Sequence, residues 1–160
     1  MALHYEIDNL DLQILNILMT DAFVPYTEIG KRLYVSAGTV HVRMSKMEKL
    51  GIVKAPQLQI DLSKIGMDIT AFMGVFLTKS ELYLQVVEEL KKIDEVVWCN
   101  YTTGNYSLFI KIICRDTQHL REVLHDRIQK IEGINRTETI ISLEESFNRP
   151  LKIVPITANP

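Results

Sequence analysis

Apolar residues near the start of the chain recur at helical spacing, with Leu10, Ile14, Leu15, Ile17 and Leu18 on one stripe and Asp8 placed to cap it. The stretch Ala22 to Pro25 breaks that helix, because Pro25 biases Val24 toward an extended conformation. A second short helix is predicted from Tyr26 to Leu33, followed by a tight turn through Tyr34 and Val35. Ser36 is a good N-cap for a third helix, its hydroxyl able to accept from the exposed backbone N–H groups. In that helix Val40, Met44 and Met47 form the buried stripe, and Gly51 supplies the left-handed stop. The run from Ile52 to Asp61 then alternates apolar and polar side chains around Pro56, which predicts an edge strand or hinge.

The second half carries an internal repeat. Thr70 to Leu77 is a continuous apolar run rich in strand formers, and Leu82, Val86, Leu90 and Ile93 mark a helix over Glu81 to Ile93. Val96 to Thr103 is a second strand. The pattern restarts with a strand over Ser107 to Cys114, a helix over Thr117 to Lys130 capped by Thr117 or Asp116, and a strand over Asn135 to Leu143. Two β-α-β units joined by a tight Gly104-Asn105 hairpin predict a ferredoxin-like β-α-β-β-α-β domain.

Two helices cover one face of such a sheet, yet these strands are apolar on both. In the third strand Leu108, Ile110, Ile112 and Cys114 point one way, and Phe109, Lys111 and Ile113 the other. A sheet with water on its second face alternates more cleanly. An apolar face of that size predicts an interface, hence at least a homodimer.

Composition hides what local charge reveals. The whole chain has 18 Lys+Arg against 20 Asp+Glu, a net charge of −2, which does not suggest nucleic acid. From Lys31 to Lys54, however, there are six bases against one acid, Glu48. A basic capped helix behind a tight turn is the helix-turn-helix pattern, and double-stranded DNA is the partner it predicts. Gly38 and Thr39 stand at the helix N-terminus, where unpaired N–H groups and the helix dipole favour an anion. Arg43 and His41 are candidates for base edges, Arg43 through its bidentate fork to guanine. Lys46, Lys31 and Thr27 are candidates for phosphate, with Ser36 and Val42 on the same DNA-facing segment.

Other chemistries find less support. Cys99 and Cys114 are not in a CxxC arrangement and read as small core residues, and the four histidines lack a metal-ligand or catalytic constellation. No metal site, catalytic residue or cofactor is expected. No window reaches the roughly 18 apolar residues of a membrane span, and no signal-peptide pattern opens the chain, so a cytoplasmic protein with no membrane role is expected.

Head, Pro-containing linker and β-α-β-β-α-β domain, in this order, resemble the Lrp/AsnC family of feast/famine transcription regulators over roughly Glu6 to Val154. Ile7 to Asp11, Gly38 to Arg43, Tyr101 to Ser107, Ile110-Lys111 and Thr137 to Thr139 look closest to its asparagine-responsive branch. The resemblance implies an amino-acid effector held between neighbouring dimers, with octamers as the assembly. It implies an effector site at Tyr101, Thr102, Thr103, Gly104, Asn105, Tyr106 and Ser107, with Gln129 suited to reading a side-chain amide. A zwitterion needs N–H groups for its carboxylate and oxygen acceptors for its ammonium. Gly104 allows close backbone approach, and the Thr102, Thr103 and Ser107 hydroxyls donate or accept. Many family members carry Asp where this chain has Ser107, a departure that points toward asparagine.

The expected architecture is therefore α+β: a winged helix-turn-helix head over 1–54, a linker strand or hinge over 55–68, and a ferredoxin-like effector-binding and oligomerisation domain over 69–154. The expected function is sequence-specific, amino-acid-responsive transcription regulation. The rival is an amino-acid sensor or regulatory subunit acting on a protein partner. The basic capped helix discriminates between them, since a pure sensor does not need it.

Overall fold

The computed structural model describes residues 6–154. By contact the chain divides into two units, one comprising 6–58 with 147–154 and the other 59–146. The expected second domain ran to 154; residues 147–154 instead pack with the head.

The head holds α1 (Asn9–Thr20), α2 (Tyr26–Leu33) and α3 (Ala37–Lys49). Asp8 caps α1 and closes a capping box with Asp11, each carboxylate accepting the other residue's backbone N–H at 2.9 and 3.2 Å. Ile14, Ile29, Val40, Met44 and Met47 form its buried core, with Val53 packed beside them. Gly30 sets the α2–α3 approach, because a Cβ there would meet the Val35 carbonyl oxygen at 2.7 Å. Segment 52–61 forms no strand; it runs without regular structure into a 3-10 turn, Leu62–Ile65. With no second strand alongside, the alternation of its side chains has no ladder to join. Residues 147–154 return to α1, where the Asn16 carboxamide donates to the Ile153 carbonyl at 2.7 Å and accepts from its N–H at 2.9 Å. A carboxamide reproduces a peptide group, so one side chain satisfies both backbone atoms.

The second unit is β1 (Ile69–Leu77), α4 (Tyr83–Leu90), β2 (Val96–Tyr101), β3 (Leu108–Cys114), α5 (Thr117–Glu122) and β4 (Ile134–Ser142). The sheet is antiparallel throughout with order β2-β3-β1-β4, the split arrangement of a β-α-β-β-α-β unit. Asp116 caps α5 by accepting from the His119 N–H at 2.7 Å. Beyond Glu122 the helix widens into a π segment, Val123–Ile128, where one uninterrupted α-helix was expected. The second connection also differs from expectation. β2 ends at Tyr101 and β3 begins at Leu108, so the connection spans six residues, 102–107, and is not a two-residue hairpin.

One sheet face packs on the helices through Ala71, Met73, Val75, Leu108, Ile110 and Ile112, all buried. Cys114 joins them, and burial pushes its thiol up to about 11, which keeps it a neutral core residue. The other face carries Phe72, Phe76, Trp98, Phe109 and Ile140. Phe72 and Phe109 stack at 6.0 Å, and Trp98 meets Phe109 edge-on at 6.3 Å.

Candidate nucleic-acid interface and effector loop

Helix α3 presents Gly38, His41, Val42, Lys46 and Lys49 to solvent on the side opposite buried Val40, Met44 and Met47. Thr27 and Lys31 are exposed on α2. Ser36 fills the N-cap role: its Oγ accepts from the Thr39 N–H at 3.0 Å and lies 2.8 Å from the Thr39 hydroxyl. Ser36→Ala should lower head stability by about 1 kcal/mol, read as a drop in Tm, because one N–H loses its acceptor. His41 leans on the Tyr26 ring, centroids 6.0 Å apart.

Arg43 departs from its expected place. Its guanidinium turns away from the outer face and donates to Asp8 at 2.6 Å and Asp11 at 2.9 Å. Asp11 is fully buried, a charged side chain taken out of water. Both carboxylates hold the Arg43 guanidinium above its ordinary value, and Arg43 in turn holds the Asp8 carboxyl below the usual carboxylate range. One terminal nitrogen of the group expected to read guanine thus bridges both carboxylates and clamps α3 to the capping box of α1. Asp8 and Asp11, three apart ahead of an apolar run, were the sequence signal for that box.

In the second unit, residues 102–107 close on themselves. The Thr102 hydroxyl donates to the Tyr106 carbonyl at 2.8 Å, and the Thr102 N–H donates to Ser107 O at 3.2 Å. Ser107 Oγ accepts from the Leu77 N–H at 3.4 Å. Two of the three expected ligand hydroxyls thus have work in the fold. Thr103, Gly104 and Asn105 form the exposed tip, and Gly104 takes φ +105, where only glycine sits without strain. Tyr101 is exposed and packs on the helix side against Tyr83, centroids 4.6 Å apart. Gln129, just past the π segment, donates to the Thr137 hydroxyl on β4 at 3.5 Å.

Tyr106 leaves this loop to lie across β1. Its ring passes over Gly74, where an added Cβ would fall 2.3 Å from the ring, and its hydroxyl donates to Glu138 at 2.8 Å. A glycine inside a strand is the sequence signal for such a close approach. His119 packs beside Glu95 at 3.1 Å, while Arg127 reaches the other Glu95 oxygen at 2.6 Å. Among the described residues, no group of three or more His, Cys, Asp or Glu is arranged to hold a metal ion.

Residues 70–151 match the model of the Lrp/AsnC ligand binding domain, and residues 7–54 match a winged helix-turn-helix DNA-binding domain. The chain belongs to the Lrp/AsnC family. Regulatory protein AsnC of Haemophilus influenzae is 43% identical over 148 residues, covering 92% of this chain and 99% of that protein. The Escherichia coli AsnC structure superposes with a TM-score of 0.87 at 40% identity, covering 93% of this chain and all of that one. A Neisseria meningitidis regulator solved with L-Met has a TM-score of 0.84 at 19% identity, over 90% of this chain and 94% of that one; it shares the fold. This Lrp/AsnC protein is accordingly a DNA-binding transcription regulator with a domain for a small-molecule effector, and its relatives are named regulators rather than enzymes. No helix among the described residues is long and apolar enough to cross a membrane.

Proposed function

We propose that this regulator reads duplex DNA through the outer face of α3 and answers to asparagine. The exposed surface of Gly38, His41, Val42 and Lys46, opposite a fully packed stripe, is the observation that carries the DNA assignment. Gly38 brings its backbone N–H at the helix N-terminus to the groove with Thr39 beside it, His41 and Val42 meet base edges, and Lys46, Lys31 and Thr27 meet phosphate. Ser36 and Arg43 position the helix, the first as its cap and the second through Asp8 and Asp11.

The effector assignment rests on the exposed loop tip. Thr103 and Asn105 make no side-chain hydrogen bond among the described residues, and the backbone at Gly104 is open to approach. Gln129 supplies a carboxamide that can pair with the carboxamide of asparagine, donor to acceptor. Tyr101, Thr102, Tyr106 and Ser107 hold the loop's shape. The AsnC name of relatives 40–43% identical supports asparagine over other amino acids. The aromatic second face of the sheet favours a homodimer by sheet packing, and dimers meeting at the effector loops would build octamers, in the cytoplasm, with no membrane contact.

A thermal-shift panel of the twenty amino acids tests the effector. Asparagine should raise Tm by an amount that grows with its concentration, and Gln129→Ala should abolish the rise while leaving DNA affinity in the absence of effector unchanged. No shift with any amino acid sinks the effector reading and leaves the DNA reading standing.

A further inference from the structure

Tyr34 sits between α2 and the N-cap of α3 in the left-handed conformation, φ 57 and ψ 39. It is the one non-glycine residue with positive φ among those described. Glycine, or asparagine, is what a helix C-terminus in this conformation favours, because a Cβ crowds the backbone. Tyrosine here therefore costs the fold. Packing does not repay the cost, since Tyr34 is 96% exposed and its ring makes no aromatic contact. Its backbone is nevertheless held firmly: the Tyr34 N–H and the Val35 N–H both donate to the Gly30 carbonyl. The result is a phenol on a firmly held backbone, open to solvent two residues ahead of Ser36, at the end of α3 that enters the groove in helix-turn-helix docking. Lys31, an exposed cation, lies one turn earlier on α2. Strain without a structural return is the signature of a residue kept for contact with something outside the chain.

We propose that Tyr34 is a DNA-contact residue, its hydroxyl donating to a backbone phosphate beside the groove that α3 reads. The assignment rests on the DNA-binding reading and adds a residue to it. A phenol carries no charge at neutral pH, so the contact adds affinity without displacing a counterion. Phosphate carries no sequence information, so the gain applies to any duplex.

The test uses the intact protein, a duplex selected by it from a random pool, and an unrelated duplex, titrated by fluorescence anisotropy across a salt series. Tyr34→Gly should raise Tm by about 2–5 °C, because glycine relieves the strain. The same variant should bind both duplexes about tenfold more weakly, with an unchanged slope of log affinity against log salt. Tyr34→Phe should lose a similar factor without the gain in Tm, which isolates the hydroxyl. Wild-type affinity in Tyr34→Gly overturns the proposal, as does a loss confined to the selected duplex or a slope reduced by about one. A wild-type protein that binds neither duplex at low salt overturns the DNA-binding reading itself.

Discussion

Arg43→Ala should destabilise the head by about 3 kcal/mol and weaken binding to every DNA sequence alike. The reason is the buried partner. Removing the guanidinium takes a charge-assisted bond from the buried Asp11 carboxylate and a second from Asp8, and breaking a pair with a buried member is costly. The same change frees α3 from the capping box of α1, so the reading surface loses its fixed orientation. Had Arg43 been a base reader, the loss would have been about 1–3 kcal/mol at one base pair, with stability intact. Chemical denaturation and a binding titration against single-base variants separate these outcomes, and unchanged stability with relaxed preference at one position would return Arg43 to the bases. The clamp also gives the head an acid limit. The Asp8 carboxyl is depressed below its ordinary 3.8, chiefly by its hydrogen bond from Arg43, so its stabilising contribution is present above that value and lost as pH falls below it. In Arg43→Ala this part of the acid sensitivity should disappear.

Gly74→Ala should destabilise the second unit by about 2 kcal/mol and weaken the proposed sheet-to-sheet dimer and the proposed effector binding together. The new methyl would stand 2.3 Å from the Tyr106 ring, and the ring is what must give way, since the strand is fixed on both sides by β3 and β4. Moving Tyr106 breaks its bond to Glu138 and its packing on Phe76 and Phe109, at 5.2 and 5.9 Å. It also disturbs residues 102–107, because the Tyr106 carbonyl accepts the Thr102 hydroxyl. One methyl group therefore reaches both the aromatic face and the loop tip. Analytical ultracentrifugation and the amino-acid thermal-shift panel read the two consequences. A Gly74→Ala protein that dimerises and shifts like wild type would mean that neither function depends on where Tyr106 lies.

Most of the framework was legible because local signals and packing agree in it. Asp8, Ser36 and Asp116 cap the helices their side chains suggested, and Gly51 and Gly104 take the positive φ their turns need. The two-faced apolarity of β3 likewise foretold the aromatic surface opposite the helices. What stayed hidden depends on contacts distant in sequence. Nothing near Arg43 says that a carboxylate thirty-two residues earlier will claim it. Nothing near Asn16 announces Ile153, which lies 137 residues away. The π segment after Glu122 is set by how Val123 and Ile128 both reach the core, a choice that helical periodicity alone does not encode. The conformation of Tyr34 was hidden for the opposite reason, since it breaks the rule by which such positions are found.

If one molecule joins DNA reading to asparagine sensing, the two binding events must be linked. DNA affinity should be measured with and without saturating asparagine, and asparagine affinity with and without saturating DNA, on the intact protein and a selected duplex. The two ratios should be equal and differ from one by about 5–150-fold, because coupling between two binding sites is reciprocal. Ratios of one in both directions, from a protein that binds each ligand on its own, would contradict the account.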